Sequence, residues 1–145
     1  METGISSETR STEVKKLLSL SKKELAERSD GSLEVMVSLE ELYRHFANSV
    51  AKEIESNNKT DQKTKLILPV GPTGQYPILA KIINEKGIEL QDCHFFFMDE
   101  YCNESGFPLP KEHPLSFRGE VEEIFFDKLE EEYKIPEDQV FSCSR

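Results

Sequence analysis

The chain has 145 residues, the usual length of a single domain. Hydrophobic residues make up 37% of it and charged residues 32%, a polar composition that still allows a core. Its 18 basic and 28 acidic side chains give a net charge of −10, which argues against a general nucleic-acid or anionic-membrane binder because both need a basic face.

The sequence also carries signs of its cellular compartment. No apolar run approaches the roughly 20 residues that span a bilayer, and the polar residues 1–12 contain no signal-peptide core. The cysteines Cys93, Cys102 and Cys143 are odd in number and lack C-x-x-C spacing, so we interpret them as reduced thiols. These features predict a cytoplasmic protein.

Residues 1–32 form a polar N-terminal extension rich in serine, lysine and glutamate. Val14, Leu17 and Leu18, followed by residues 20–25, predict one short amphipathic helix within it. The turn-forming residues 29–32 end that helix. We therefore separate the extension from a domain that occupies residues 33–145.

This domain is predicted to begin with a strand and a long helix. Residues 33–37 alternate and are rich in branched side chains, which predicts the strand. Ser38 stands three residues before Glu41, the spacing of a capping box that opens a helix. Apolar residues then recur three and four positions apart as one stripe: Leu39, Leu42, Tyr43, Phe46, Ala47, Val50, Ala51 and Ile54.

Two almost wholly apolar runs follow, and they predict strands covered on both faces. These runs are residues 65–70 and 94–98. Between them, Pro77 marks the first turn of a helix and Gly87 lies just past its end. Four apolar residues of that helix are expected to face inward: Ile78, Leu79, Ile82 and Ile83.

A long loop over residues 99–114 leads into the last predicted helix. Apolar residues at helical spacing indicate that helix: Phe117, Val121, Ile124, Phe125 and Leu129. Its outer face would carry the acidic residues 120–138, where nine acids and two lysines hold seven of the ten net negative charges. We interpret them as a solvated helix face, with an interaction surface as the alternative. Val140 and Phe141 begin a fourth strand.

The alternation of strands and helices predicts the fold class. Strands joined by helices of this length run parallel, with right-handed crossovers. We therefore expect an α/β, Rossmann-like open parallel sheet with helices on both faces, truncated after its third β-α unit.

Two loops are candidates for chemistry, because ligands of such sheets bind beyond the carboxyl ends of the strands. Gly71-Pro72-Thr73-Gly74 lies between a strand and a helix, where backbone N–H groups approach an anion, although an ordinary tight turn fits equally. Asp99 and Glu100 follow the next strand, and neighbours on an extended chain point oppositely. One is expected to face the cleft as a general base and the other to hold the loop.

The three histidines do not indicate a metal site. His113 lies in a loop that enters a helix, where fixing or capping the loop is its simplest role. His45 lies on the rim of the first helix and is expected to be solvated, and nothing in the sequence gives His94, at the start of a strand, a partner. No two histidines have the spacing of helix-borne metal ligands. We therefore predict no metal.

The chain resembles the glucosamine-6-phosphate deaminase/isomerase family at four segments. Leu68-Pro69-Val70-Gly71-Pro72-Thr73-Gly74 is similar to its sugar-phosphate loop L-P-T-G-x-T-P, and Met98-Asp99-Glu100-Tyr101 to its M-D-E-Y motif. His113-Pro114-Leu115-Ser116-Phe117-Arg118 resembles its H-P-x-S-[YF] segment, and Ile124-Phe125-Phe126 the N-F-F that follows. Order and spacing agree across roughly residues 33–141.

This resemblance implies a Rossmann-like enzyme that converts glucosamine 6-phosphate to fructose 6-phosphate and ammonia without a cofactor. Asp99 would move a proton between C2 and C1 of the open-chain sugar, with Glu100 beside it as the second catalytic residue. Gly71, Thr73, Gly74 and His113 would bind the substrate. The implied partner is a phosphorylated amino sugar, with no nucleic acid and no membrane, and assembly into a homo-oligomer is left open.

The chain also departs from the family pattern. Val70 replaces a threonine, Gly74 stands where the family has proline, and Pro72 removes one expected N–H donor to the phosphate. Residues 102–107 lengthen the loop after M-D-E-Y. The family's second catalytic motif, G-x-D-G-H-x-A-F-N-E, is absent, so we expect an N-terminal part of a longer enzyme, with the cationic phosphate ligands in the other part.

Two alternatives remain. One is a hydrolase of the related 6-phosphogluconolactonase type, which typically has D-E-R where this chain has Asp99-Glu100-Tyr101. The other is a non-catalytic module that binds sugar phosphates.

Overall fold

A computed structural model describes residues 7–141 of the chain. The chain divides into two compact units, and the division lies between Val37 and Ser38. The first unit contains helices α1 (Ser7–Leu18) and α2 (Lys22–Arg28). The extension therefore forms two helices where the sequence predicted one, because Ser21 accepts a hydrogen bond from the Glu24 N–H and starts a new helix with a capping box.

The predicted strand at residues 33–37 is wrong. These residues are irregular, and the side chains of Leu33, Val35 and Val37 are 42%, 49% and 94% exposed. A branched, alternating segment forms a strand when it finds a partner strand and a surface to cover, since β-propensity reflects packing more than an intrinsic backbone preference. This segment lies outside the sheet.

The second unit begins with α3 (Leu39–Asn58), which starts where the sequence predicted. The Ser38 hydroxyl accepts a hydrogen bond from the Glu41 N–H at 3.1 Å and caps the helix. Ala47, Ala51 and Ile54 of the predicted apolar stripe are buried against the rest of the unit. The small alanines let α3 lie close to its main neighbour, α4.

Three parallel strands form the sheet, in the order β1-β2-β3. They are β1 (Thr64–Leu68), β2 (Cys93–Phe97) and β3 (Val140–Phe141). β1 pairs with β2 from Thr64↔Cys93 to Leu68↔Phe97, and β2 pairs with β3 at Phe95↔Val140 and Phe96↔Phe141. The predicted α/β class, an open parallel sheet with helices packed on it, is confirmed.

α4 (Gln75–Lys86) joins the first two strands and ends as predicted. Gly87 takes a left-handed conformation with φ 64°, and its N–H bonds to the Ile83 carbonyl. Leu79 and Ile83 are buried, whereas Ile78 and Ile82 are only partly buried. Glycine is the residue that adopts this conformation at least cost, so the helix ends here.

The core lies on one face of the sheet. Phe95 is fully buried there, and its ring contacts those of Phe125 and Phe126. The opposite face of β1 is less covered than its apolar sequence suggested, since Ile67 is 65% exposed.

The last helix is shorter than predicted. α5 (Phe117–Ile124) is followed by three single-turn 3-10 helices, Phe126–Lys128, Glu131–Tyr133 and Glu137–Gln139. The acidic residues 120–138 are therefore spread over four short elements rather than along one helix face. Burial of Phe125 and Leu129 in the core bends the chain back toward β3.

Candidate functional site

Both predicted site loops leave the sheet at the same edge. β1 and β2 run in register up to Leu68↔Phe97, and the Met98 N–H donates to the Leu68 carbonyl at 3.1 Å. The glycine loop, residues 69–74, begins directly after β1, and Asp99 lies two residues beyond β2. This edge is where an open parallel sheet binds its ligands.

Two buried side chains of α4 hold the glycine loop from below. The Tyr76 hydroxyl donates to the Pro69 carbonyl at 2.6 Å, and the Gln75 amide donates to the Pro72 carbonyl. Burial raises the pKa of Tyr76 to about 12, so its hydroxyl stays protonated and remains a donor at neutral pH. Neither residue was predicted from the sequence, although a Gln-Tyr pair at the start of a helix of apolar residues was a signal for such a role.

Backbone donors remain available on the glycine loop. Within residues 7–141, the N–H groups of Gly71, Thr73 and Gly74 have no hydrogen-bond acceptor, and Pro72 has no N–H to offer. Gly71 is exposed, while Thr73 and Gly74 are half-buried. The loop therefore presents three donors beside the N-terminus of α4, where the helix dipole favours negative charge.

Gly74 also fills a packing role. It is the N-cap residue of α4, and a Cβ at this position would overlap the ring of Tyr43 from α3. Gly71, by contrast, has open space around its Cα. The Tyr43 ring therefore packs against the Gly74 end of the loop, while the space around Gly71 is open.

Glu100 is the anchor of the second loop. Its carboxylate accepts hydrogen bonds from the N–H groups of Tyr101 and Phe117 at 2.9 Å and of Arg118 at 3.0 Å. It also accepts one from the Ser116 hydroxyl at 3.2 Å. A carboxylate at this position satisfies first-turn donors of α5 and lies at the positive end of its dipole.

These contacts join two motifs that are separate in the sequence. Glu100 belongs to the M-D-E-Y segment, and its partners Ser116, Phe117 and Arg118 belong to the H-P-L-S-F-R segment. The rings of Tyr101 and Phe117 add a contact at 4.9 Å between centroids. The residues between the two motifs therefore form a loop that brings the second motif back to Glu100.

Asp99 has the opposite environment. Its side chain is exposed, and within the described residues its carboxylate makes no hydrogen bond or ion pair. Because the acceptor positions of Glu100 are occupied by α5, Asp99 is the carboxylate of the pair that is available to a ligand.

His113 makes a local contact. Its Nδ1 accepts a hydrogen bond from the Leu115 N–H at 3.1 Å, so the neutral ring carries its proton on Nε2. The His113 N–H and carbonyl close turns with Pro110 and Ser116. No hydrogen bond within residues 7–141 connects the His113 ring to Asp99 or to the glycine loop.

A cavity of about 330 Å³ lies on another flank of α5, and no predicted site residue lines it. Glu122 on its wall accepts hydrogen bonds from Lys111 and Arg118, both at 2.9 Å. Burial alone would raise the pKa of the Glu122 carboxyl, but these two cations outweigh it and lower the pKa. Residues 7–141 contain no group of three His, Cys, Asp or Glu side chains that could hold a metal ion.

We expect Glu122→Gln to lower the free energy of unfolding by about 1 kcal/mol at pH 7, because both cations lose a charged partner. A lowered folded-state pKa stabilises the protein above the unfolded pKa, and that contribution is lost as the pH falls through the folded value. Urea unfolding at pH 7 and near pH 3 should therefore show a difference from wild type that shrinks in acid. Glu123→Gln, at an exposed neighbour, is the control. Equal differences at both pH values would contradict the prediction.

The fold and its loops define an α/β protein with a candidate ligand site at the carboxyl edge of a parallel sheet. Among the described residues, none of the helices is long and apolar enough to cross a membrane. No family model and no curated protein matches the sequence.

Solved structures do match the fold. One is a monomeric glucosamine-6-phosphate deaminase, described as a missing link of the NagB superfamily, with a TM-score of 0.61 and 22% sequence identity. The match covers 76% of this chain and 42% of that chain, so this chain spans less than half the length of that structure. At this identity the likeness shows a shared fold.

Proposed function

We propose that this chain belongs to an amino-sugar-phosphate deaminase/isomerase that converts glucosamine 6-phosphate and water to fructose 6-phosphate and ammonia. The observation that carries the proposal is the division of labour between Asp99 and Glu100. The carboxylate oxygens of Glu100 accept hydrogen bonds from the start of α5. The side chain of Asp99 is exposed and has no partner within the described residues, and the glycine loop with its three backbone donors lies at the same edge of the sheet. The fold shared with a deaminase of this type supports the assignment.

In the proposed reaction Asp99 is the general base. In the open-chain sugar its carboxylate removes the proton from C2 while the C1 carbonyl oxygen takes up a proton from solvent, which gives an enolamine. The carboxylate then returns a proton to C1 while the nitrogen releases a proton to solvent, which gives the C2 imine. The resulting C2 imine adds water and releases ammonia, which yields the ketose. One carboxylate can carry out both transfers, because C1 and C2 are adjacent and the proton is taken up and returned within one site.

The remaining predicted residues bind or position the substrate in this proposal. The N–H groups of Gly71, Thr73 and Gly74 would hold the phosphate, and His113 would lie in the loop that borders the substrate. Glu100 is a positioning residue, since its hydrogen bonds fix the backbone that carries Asp99. The net charge of −10 makes local backbone donors important for an anionic substrate.

The test is ammonia release from glucosamine 6-phosphate by the wild-type protein and by Asp99→Asn. We expect the variant to lose about 100-fold in kcat, the scale of a missing general base, without a change in Tm because Asp99 is exposed. Asp92→Asn, at an exposed aspartate on the opposite end of β2, is the control and should retain activity.

Three other outcomes are informative. Unchanged turnover in Asp99→Asn would remove Asp99 from the base role. Thermal stabilisation by glucosamine 6-phosphate without turnover would favour a non-catalytic sugar-phosphate-binding module. If the protein shows neither turnover of glucosamine 6-phosphate nor thermal stabilisation by it, the proposed function is overturned for this chain.

A further inference from the structure

We propose that Tyr76 and Gln75 are positioning residues for the phosphate group, because they turn the two proline carbonyls of the glycine loop toward α4. This inference rests on the proposed function, in which the loop binds a sugar phosphate. It goes further by assigning the donor geometry of the loop to two side chains that lie beneath it.

The hydrogen bonds divide the loop by polarity. The carbonyls of Pro69 and Pro72 accept from the Tyr76 hydroxyl and the Gln75 amide, both of which come from the first turn of α4. The N–H groups of Gly71 and Thr73, the two residues that flank Pro72, have no acceptor in the described residues. Since a carbonyl oxygen that faced a phosphate would repel it, this arrangement suits an anion.

Pro72 makes the orientation of the loop more important. The loop has lost one N–H at this position, so an anion depends on the donors that remain. With fewer N–H donors in the loop, each peptide group that points away from the phosphate removes a larger share of the total attraction. Tyr43, packed against Gly74, closes the other side of the loop and limits how it can relax.

Because Gln75 and Tyr76 are buried, their polar groups need hydrogen-bond partners, and the two proline carbonyls are those partners. Gln75 is 2% exposed and Tyr76 is 1% exposed. A buried amide or hydroxyl costs free energy unless it is hydrogen-bonded, and apolar side chains would fill the same space. The Tyr76 ring also packs at 5.8 Å from the Phe125 ring, so Tyr76→Phe keeps the packing and removes only the hydroxyl.

The experiment is an NMR titration of the full chain with inorganic phosphate, followed at the backbone amides of Gly71 and Thr73. We expect these two signals to shift in the wild type, and Tyr76→Phe to weaken the phosphate affinity about 10-fold, the scale of one misdirected hydrogen bond. Gln75→Leu removes the second tie and provides an independent variant if Tyr76→Phe folds poorly.

A matched control separates positioning from stability. Ile83→Val lies on the same helix, is fully buried and is expected to destabilise the protein by a similar amount while leaving the phosphate affinity unchanged. Wild-type affinity in both loop variants, or an equal loss of affinity in Ile83→Val, would overturn the positioning role.

Failure of the two proposals can be told apart. If phosphate shifts the Gly71 and Thr73 amides but glucosamine 6-phosphate is not turned over, the positioning role stands and the deaminase assignment falls. If the wild-type amides do not respond to phosphate, the positioning role falls, whatever the ammonia assay shows.

Discussion

Replacing Phe95 with alanine is expected to lower the free energy of unfolding by about 4 kcal/mol. Phe95 is fully buried at the centre of β2, and its ring lies 5.9 Å from that of Phe125 and 5.8 Å from that of Phe126. Deleting the ring removes apolar burial and leaves a cavity that these neighbours, held in the turn after α5 and in the 3-10 helix that follows it, fill only in part.

Urea unfolding of the full chain, followed by circular dichroism, measures this effect. Phe107→Ala is the control, because Phe107 lies in the loop after β2 and is 58% exposed. We expect the control to change stability by less than about 1 kcal/mol. Similar losses in the two variants would mean that Phe95 is not the centre of the core.

The parts of the fold that the sequence predicted are those with strong local signals. α3 begins at its capping serine, α4 ends at Gly87, and β1 and β2 coincide with apolar runs. In each case the residues that specify the element are neighbours in the chain, so no tertiary information was needed. The parallel order of the strands then follows from the helices that connect them.

The parts that the sequence did not predict depend on distant partners. Residues 33–37 have the pattern of a strand but pair with none, and the helix predicted through Leu129 stops at Ile124 because Phe125 turns into the core. Strand-like and helix-like patterns describe what a segment can do. Packing decides which of these conformations it adopts.

The candidate site shows the same division. Alternation along an extended chain predicted that Asp99 and Glu100 would differ in role, but not which of them would face the cleft. The proposal that it is Asp99 rests on Ser116, Phe117 and Arg118, which lie 16 to 18 residues away and donate hydrogen bonds to the Glu100 carboxylate. The proposed roles of Gln75 and Tyr76 likewise depend on the path of the glycine loop above them, which the sequence alone does not show.

Glu100→Ala is expected to lower the free energy of unfolding by about 3 kcal/mol, because three backbone N–H groups and the Ser116 hydroxyl lose their acceptor together. Each donor is worth less than in isolation, since water reaches the half-buried site and replaces part of the interaction. Glu100→Gln keeps one carbonyl oxygen and should lose about half as much. Glu104→Gln, an exposed glutamate of the same loop without a hydrogen bond from the described residues, is the matched control for charge.

The same variants separate the roles of the two neighbouring acids. If Glu100 acts by positioning, Glu100→Gln lowers stability and kcat together, and mild stabilising conditions that restore the start of α5 restore part of the activity. Asp99→Asn, in contrast, loses turnover at wild-type stability, because its carboxylate holds nothing in the described part of the fold. A Glu100→Gln protein with wild-type Tm and no turnover would reverse this assignment and make Glu100 the residue that reacts with the sugar.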